Sequence, residues 1–199
     1  MGFGLWELRF LCKEVFFMIR PYQSKDCQAL RQICIATAGA GFSETPARKA
    51  AAAAAFCQYF IDHCPEFCFV AVDEADVPVG YILCTPTFGR WCRYAHRQFG
   101  VSFPLAFLWS LGSMLGALPY CRKYPAHLHI NLLPPYQRIG LGKQLMETLE
   151  NALRQQHCPG VSLCVGAKNT GAMRFYERCG FRVLGKHPGS VAYGKQLNG

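Results

Sequence analysis

The chain has 199 residues, 51% of them hydrophobic, and a formal net charge of +9. That length fits one domain with room for an elaboration, and the apolar content excludes a largely disordered chain. The charge is lopsided: residues 1–85 carry −2 and residues 86–199 carry +11, which points to an anionic ligand, a nucleic acid or an acidic surface met by the second half.

Residues 1–17 read as an N-terminal extension. They are apolar but broken by Glu7, Arg9, Lys13 and Glu14, and they lack the hydrophobic region and small-residue cleavage site of a signal peptide. Residues 18–23 read as a first strand, ended at Pro21 or soon after. Ser24 is placed to cap a helix over 25–38, with Leu30, Ile33 and Cys34 forming its apolar face at spacings of three and four. A second helix starts from a cap at Ser43 or Thr45, takes Pro46 in its first turn, runs through the alanines and stops at Pro65. Residues 67–75 and 78–84 read as two strands of a hairpin.

Residues 86–125 break this rhythm as an insertion. Residues 89–100 are basic and aromatic, and residues 101–120 carry no charge. By length, 101–120 is a candidate membrane span. The strands on either side belong to one sheet in this reading, and Pro104, Gly112 and Gly116 weaken the segment, so a buried helical insertion is expected instead. A helix lying on a membrane surface or at a subunit contact is the alternative.

After the insertion comes an alternating strand, with His127, His129, Asn131 and Leu133 on one face and Ala126, Leu128, Ile130 and Leu132 on the other. A glycine turn leads into a helix over 142–156 that buries Leu145, Met146, Leu149 and Leu153. A strand at 160–166 follows, then a short helix capped by Asn169 and stopped at Gly180. Residues 181–185 and 191–197 close the chain as a hairpin. The order predicts a mixed α/β domain over 18–199, a mixed central sheet with flanking helices and the helical insertion at 86–125.

The twelve cysteines form no C-x-x-C pair. His63, Cys64, Cys68, Cys92 and His96 fit no usual zinc spacing, so no metal is expected. Reduced thiols in a cytoplasmic protein are the expected state.

The turn "QRIGLGK", Gln137 to Lys143, is the motif that carries chemistry. A helix start leaves backbone N–H groups without partners and holds a positive dipole. Glycines let those groups face an anion and leave space for it, and phosphate is the natural occupant. The P-loop pattern is absent, and a dinucleotide fingerprint fails at Leu145. A plain strand-to-helix turn remains the simple alternative.

At these residues the chain resembles the GNAT superfamily of N-acetyltransferases. The signature Q/R-x-x-G-x-G/A falls on "QRIGLG", and "NTGAMRFYERCGF", Asn169 to Phe181, looks like that family's second marker. The resemblance covers about Met18 to Leu197. The run "YPAHLHINLLP" is also similar to acetyltransferase-like domains found free-standing in bacteria or fused to enzymes that remove O-linked N-acetylglucosamine. The resemblance implies that acetyl-CoA binds between the strands at 127–133 and 161–166. Its diphosphate would rest on the amides of Arg138, Ile139, Gly140, Leu141, Gly142 and Lys143, behind Gln137. Its pantetheine arm would run along Leu132 and Leu133, within reach of Asn169. An amide near Leu132 or Leu133 would polarise the thioester carbonyl, and Tyr176 would be the acid.

Many relatives carry a glutamate base on the strand before the turn; here His127, His129 and Asn131 stand there. His129 is the candidate base because histidine titrates near neutrality, with a solvent-relayed proton equally open. Trp91, Tyr94, His96 and Trp109 are candidates for the acceptor pocket, or else bury the insertion's own core. Arg138 departs from the family, which often has glycine there; its guanidinium could pair with phosphate. The function implied is N-acetyl transfer from acetyl-CoA to a primary amine of an unidentified acceptor. The competing readings are a catalytically weak acetyl-CoA-binding module, favoured by the missing carboxylate, and a membrane- or partner-contacting protein using 101–120. No nucleic-acid reading motif accompanies the charge, and self-association is left open.

Overall fold

The computed structural model describes residues 17–38, 45–99 and 116–197. All but Phe17 of the predicted extension, the Ser43 cap, Trp109 and most of the uncharged run lie outside these residues.

Seven strands form one sheet in the order β1-β2-β3-β4-β5-β7-β6. They are β1 (Met18–Pro21), β2 (Cys68–Val72), β3 (Pro78–Thr85), β4 (Ala126–Leu132), β5 (Gly160–Gly166), β6 (Arg182–His187) and β7 (Ser190–Gln196). Every neighbouring pair is antiparallel except β4 and β5, which are parallel.

Helix α1 (Cys27–Thr37) buries Leu30, Ile33 and Cys34, as its spacing predicts. Ser24 does not cap it. Residues Ser24–Asp26 form a 3-10 turn instead, and the Asp26 carboxylate accepts the Gln23 N–H at 2.9 Å. Asp26 is itself gripped by the buried Arg20 guanidinium at 2.7 and 2.9 Å. The bidentate arginine fixes the carboxylate in place, so Asp26 rather than the Ser24 hydroxyl accepts an amide at the start of the turn.

Helix α2 (Pro46–Ala53) passes through a π-turn (Ala54–Gln58) into α3 (Tyr59–His63). The π-turn carries one residue more per turn than an α-helix, a distortion common at functional sites. Here it holds Phe56, whose ring stacks on His129 with centroids 5.2 Å apart.

The insertion opens with α4 (Phe88–Phe99). Its two ends are pinned together where the Phe88 N–H donates to the Pro125 carbonyl at 2.8 Å. Its return leg packs on β6, close enough that a Cβ at Gly116 would meet His187 at 2.6 Å. Among the described residues no helix is long and apolar enough to cross a membrane.

Helix α5 (Leu141–Gln155) buries Leu141, Leu145, Met146, Leu149 and Leu153. It packs across β2, β3 and β4. Helix α6 (Thr170–Arg178) is capped by Asn169, whose Oδ1 accepts the Ala172 N–H at 3.1 Å. It is followed by Gly180 in the left-handed region at φ +84°. The sheet core thus lies between α1 and the α2–α3 run on one face and α5 on the other.

Candidate active site

Strand β4 pairs with β5 at only two positions, Ala126 with Val161 and His127 with Ser162. Beyond His127 no pairing continues, so a cleft opens between the C-terminal halves of the two strands. The other edge of β4 stays zipped to β3 from Gly80–Leu132 to Thr85–His127. The ladder decides which amides face the cleft. Leu133 donates its N–H to the Val79 carbonyl at 3.0 Å. Alternation along an antiparallel strand then turns the N–H groups of Leu132 and Ile130 the other way, toward β5. The expected oxyanion donor at Leu133 is therefore spent in the sheet. Leu132 and Ile130 are the amides the cleft can use, and the expected donor at Leu132 or Leu133 does not include Ile130. Strand periodicity was the signal that could have found it, since only alternate amides share an edge.

The turn after β4 presents a row of donors. The N–H groups of Arg138, Ile139, Gly140, Leu141 and Gly142 make no hydrogen bond among the described residues. The Lys143 N–H differs, because it donates to the Gly140 carbonyl at 3.0 Å. Only the side chain of Lys143 is left for an anion, and it stands 3.5 Å from Glu147. Gly140 has φ +96° and Arg138 has φ +65°. Glycine takes the left-handed region freely, whereas arginine pays roughly 1 kcal/mol there. Gln137 ties the turn back by donating its side-chain amide to the Leu132 carbonyl at 2.8 Å.

Gly142 has a packing role beside its expected part in the phosphate site. A Cβ there would meet the Phe175 ring at 3.3 Å and Leu132 Cδ1 at 3.4 Å. The missing side chain lets α5 approach α6 and the tip of β4.

Tyr176 sits on α6 beside Phe181 and Tyr193. The residue is buried, yet its hydroxyl has no hydrogen-bond partner among the described residues and is not sealed from solvent. Burial raises its pKa, so the phenol stays protonated and able to donate. The Asn169 carbonyl is committed to its helix cap, which leaves its amide N–H groups for a ligand.

The two strand histidines differ. His127 is buried under Phe88, ring centroids 4.1 Å apart. Its Nδ1 lies 3.2 Å from Ser162 Oγ, which donates to the Ala126 carbonyl at 3.0 Å. Burial, aided by His129, lowers the His127 pKa to about 3. Burial likewise lowers that of His129, half-buried under Phe56, to about 4. Both rings are neutral at neutral pH and are weak bases.

Three of the acceptor-pocket candidates, Trp91, Tyr94 and His96, lie among the described residues. Trp91 packs into the core against Phe88, and His96 is exposed. Tyr94 joins Tyr59 and His63 around a hollow of about 290 Å³ that also touches Thr85, Glu66 and Arg90. That hollow lies at the His127 end of β4, roughly 16 Å along the strand from Leu132 at ~3.3 Å per residue. Among the described residues no cluster of three or more His, Cys, Asp or Glu could hold a metal ion.

The profile of the acetyltransferase (GNAT) family matches residues 28–181. The chain belongs to this family. Its fold is the mixed α/β GNAT fold, and acetyl-CoA is the cosubstrate of GNAT enzymes. The chain is similar to N-alpha-acetyltransferase 30 of Saccharomyces cerevisiae, 24% identical over 128 residues. That match covers 62% of this chain and 56% of the yeast protein, so it spans about half the length of that relative. The crystal structure of SsHAT is 30% identical with a TM-score of 0.80, covering 92% of this chain and 99% of that one. The structure of yncA from Salmonella typhimurium with its cofactor acetyl-CoA shares the fold at 17% identity and a TM-score of 0.58, covering 92% and 95%.

Proposed function

We propose that this GNAT protein transfers the acetyl group of acetyl-CoA to the primary amine of an acceptor. The observation that carries the reading is the β4–β5 opening beyond the His127–Ser162 pair, with unpaired amides at its mouth. The five amides from Arg138 to Gly142 suit a diphosphate, since a helix start favours anions through aligned N–H groups and dipole. The basic second half, at +11, adds attraction for a polyanion. The amides of Leu132 and Ile130 face the gap as a pantetheine arm would need, and Asn169 offers its amide from α6.

The chemistry joins an amine nitrogen to the thioester carbon and expels a thiolate. The Ile130 or Leu132 amide holds the oxygen as it gains charge, a contribution of about 3 kcal/mol for a well-aimed donor. Tyr176 donates a hydrogen bond to the departing sulfur. Its raised pKa makes complete proton transfer uphill, so its part is to stabilise the thiolate as it forms. No strong base lines β4, so the amine loses its proton to water. Log kcat/KM then rises with pH along the acceptor's own titration, with no inflection from a strand histidine.

Isothermal titration with acetyl-CoA tests the cofactor site, and thiol release across an amine panel tests transfer. Absence of binding overturns the whole reading. Tight binding without thiol release from any amine leaves the second reading, a binding module that has lost turnover, which the weak bases on β4 favour.

A further inference from the structure

A polar chain runs beneath Phe56. Asn131 Nδ2 donates to the Tyr81 hydroxyl at 2.8 Å and lies 3.2 Å from His129 Nε2. The Tyr81 hydroxyl is in turn hydrogen-bonded with the Cys34 thiol. An amide nitrogen carries two N–H groups and no acceptor. With one given to Tyr81, the other meets a lone pair on His129 Nε2. A neutral imidazole has one proton, so it sits on Nδ1. That nitrogen has no partner among the described residues and is not sealed off. His129 therefore carries a donor that is not sealed off, and its basic lone pair is already occupied. The donor is one residue from Ile130, whose amide faces the gap, a rise of ~3.3 Å along the strand.

Most carboxylates of the described chain are committed or placed elsewhere. Glu150 is held by Arg154 and Lys195, and Glu177 accepts from Tyr193. Asp26 and Asp76 pair with Arg20, and Asp62 accepts from Gln58. Glu66 lies at the hollow near Tyr94. Among the described residues, no carboxylate is paired with His129 to meet a second positive charge on an acceptor.

Resting on the acetyl-transfer reading above, we propose that His129 is a fixed neutral hydrogen-bond donor that selects the acceptor. The acceptor class it selects is a primary amine bearing a hydroxyl or carbonyl oxygen on the neighbouring carbon, in preference to an alkylamine or a polyamine. The donor would reach that oxygen while the amine nitrogen meets the thioester beside the Ile130 amide.

The test compares ethanolamine and glycinamide with propylamine and putrescine, each at equal free-base concentration, by coenzyme A release from the full chain. The oxygenated pair is expected to show kcat/KM about tenfold higher, the worth of one hydrogen bond to a buried donor. In His129→Phe, which keeps a ring against Phe56, that ratio is expected to fall close to one. Nitrogen-15 NMR of the histidines, with the His129 signal identified by its loss in the variant His129→Gln, is expected to place the proton on Nδ1. Propylamine turned over as well as ethanolamine overturns the inference and leaves acetyl transfer standing. A proton on Nε2, as a reversed Asn131 amide would require, overturns it whatever the turnover. Absence of thiol release from all four amines overturns the selection of acceptors and counts against transfer itself, while the NMR still reads the state of the ring.

Discussion

At its Ala126–His127 end, β4 is zipped to β5 and sealed by the stacked Phe88 ring; at its Ile130–Leu132 end, the same strand keeps its pairing to β3 but leaves its β5 edge unpaired beside a cleft. Histidines two residues apart on one face thus meet different fates. His127 fills a core position, held by Ser162. His129, half-buried under Phe56, lies beyond the last β4–β5 pair and within 3.2 Å of Asn131 Nδ2. The difference teaches that alternation assigns a face and an edge, whereas the point at which a neighbouring strand departs decides which residues on that face can meet a ligand.

The sharpest way to break this comparison is at the open end. Tyr176→Phe removes the donor to the leaving sulfur while keeping the ring among Phe181 and Tyr193, and is expected to slow kcat about 100-fold. Acetyl-CoA affinity by titration calorimetry should barely move; normal turnover would take Tyr176 out of the mechanism. Gly142→Val tests whether α5 must approach α6 closely. Its side chain would press on Phe175 and Leu132, and a loss of about 2 kcal/mol in urea unfolding is expected. Wild-type stability with lost cofactor affinity would instead support the view that Gly142 makes room for phosphate.

The closed end is probed by pH. The ordinary histidine pKa of 6.5 falls to about 3 for His127 in the fold. The unfolded chain therefore takes the proton first. Stability from this group is whole above pH 6.5 and declines as pH falls toward 3. By pH 5 the loss amounts to about 2 kcal/mol for this imidazole. Urea midpoints at pH 7.5 and 5 check this, with His127→Phe expected to flatten the slope. An unchanged slope in the variant would mean that other groups carry the acid sensitivity. The smallest effect is expected from Arg138→Gly. Glycine relieves the left-handed backbone but loosens the unfolded chain, so stability should change by less than about 1 kcal/mol. Acetyl-CoA affinity should drop severalfold, most at low salt, if the guanidinium meets phosphate; an affinity independent of this change would confine Arg138 to its amide.

Much of the molecule was legible beforehand. Alternating and helical periodicities located the strands and helices, because burial of one face imposes period 2 or 3.6 on the chain. The Asn169 cap was readable from a side chain's local hydrogen bonding, and the turn from Gln137 to Gly142 from its spacing. The cap at Ser24 was misread because its competitor, Asp26 held by Arg20, depends on a partner from a separate strand. Trp91 was left between an acceptor pocket and the insertion's own core, because an aromatic residue in an insertion looks the same whether it lines a cleft or fills a core.

Sequence alone determined the order of elements, the family markers and the positive charge awaiting an anion, since these rest on local spacing and composition. Tertiary structure decided which amides are free, which histidine is sealed and which side chains meet the His129 ring. Those properties belong to pairs of groups brought together from distant positions: Val79 with Leu133, Ser162 with His127, Tyr81 with Asn131. A hydrogen bond has a short reach, and only the folded chain brings both partners within it.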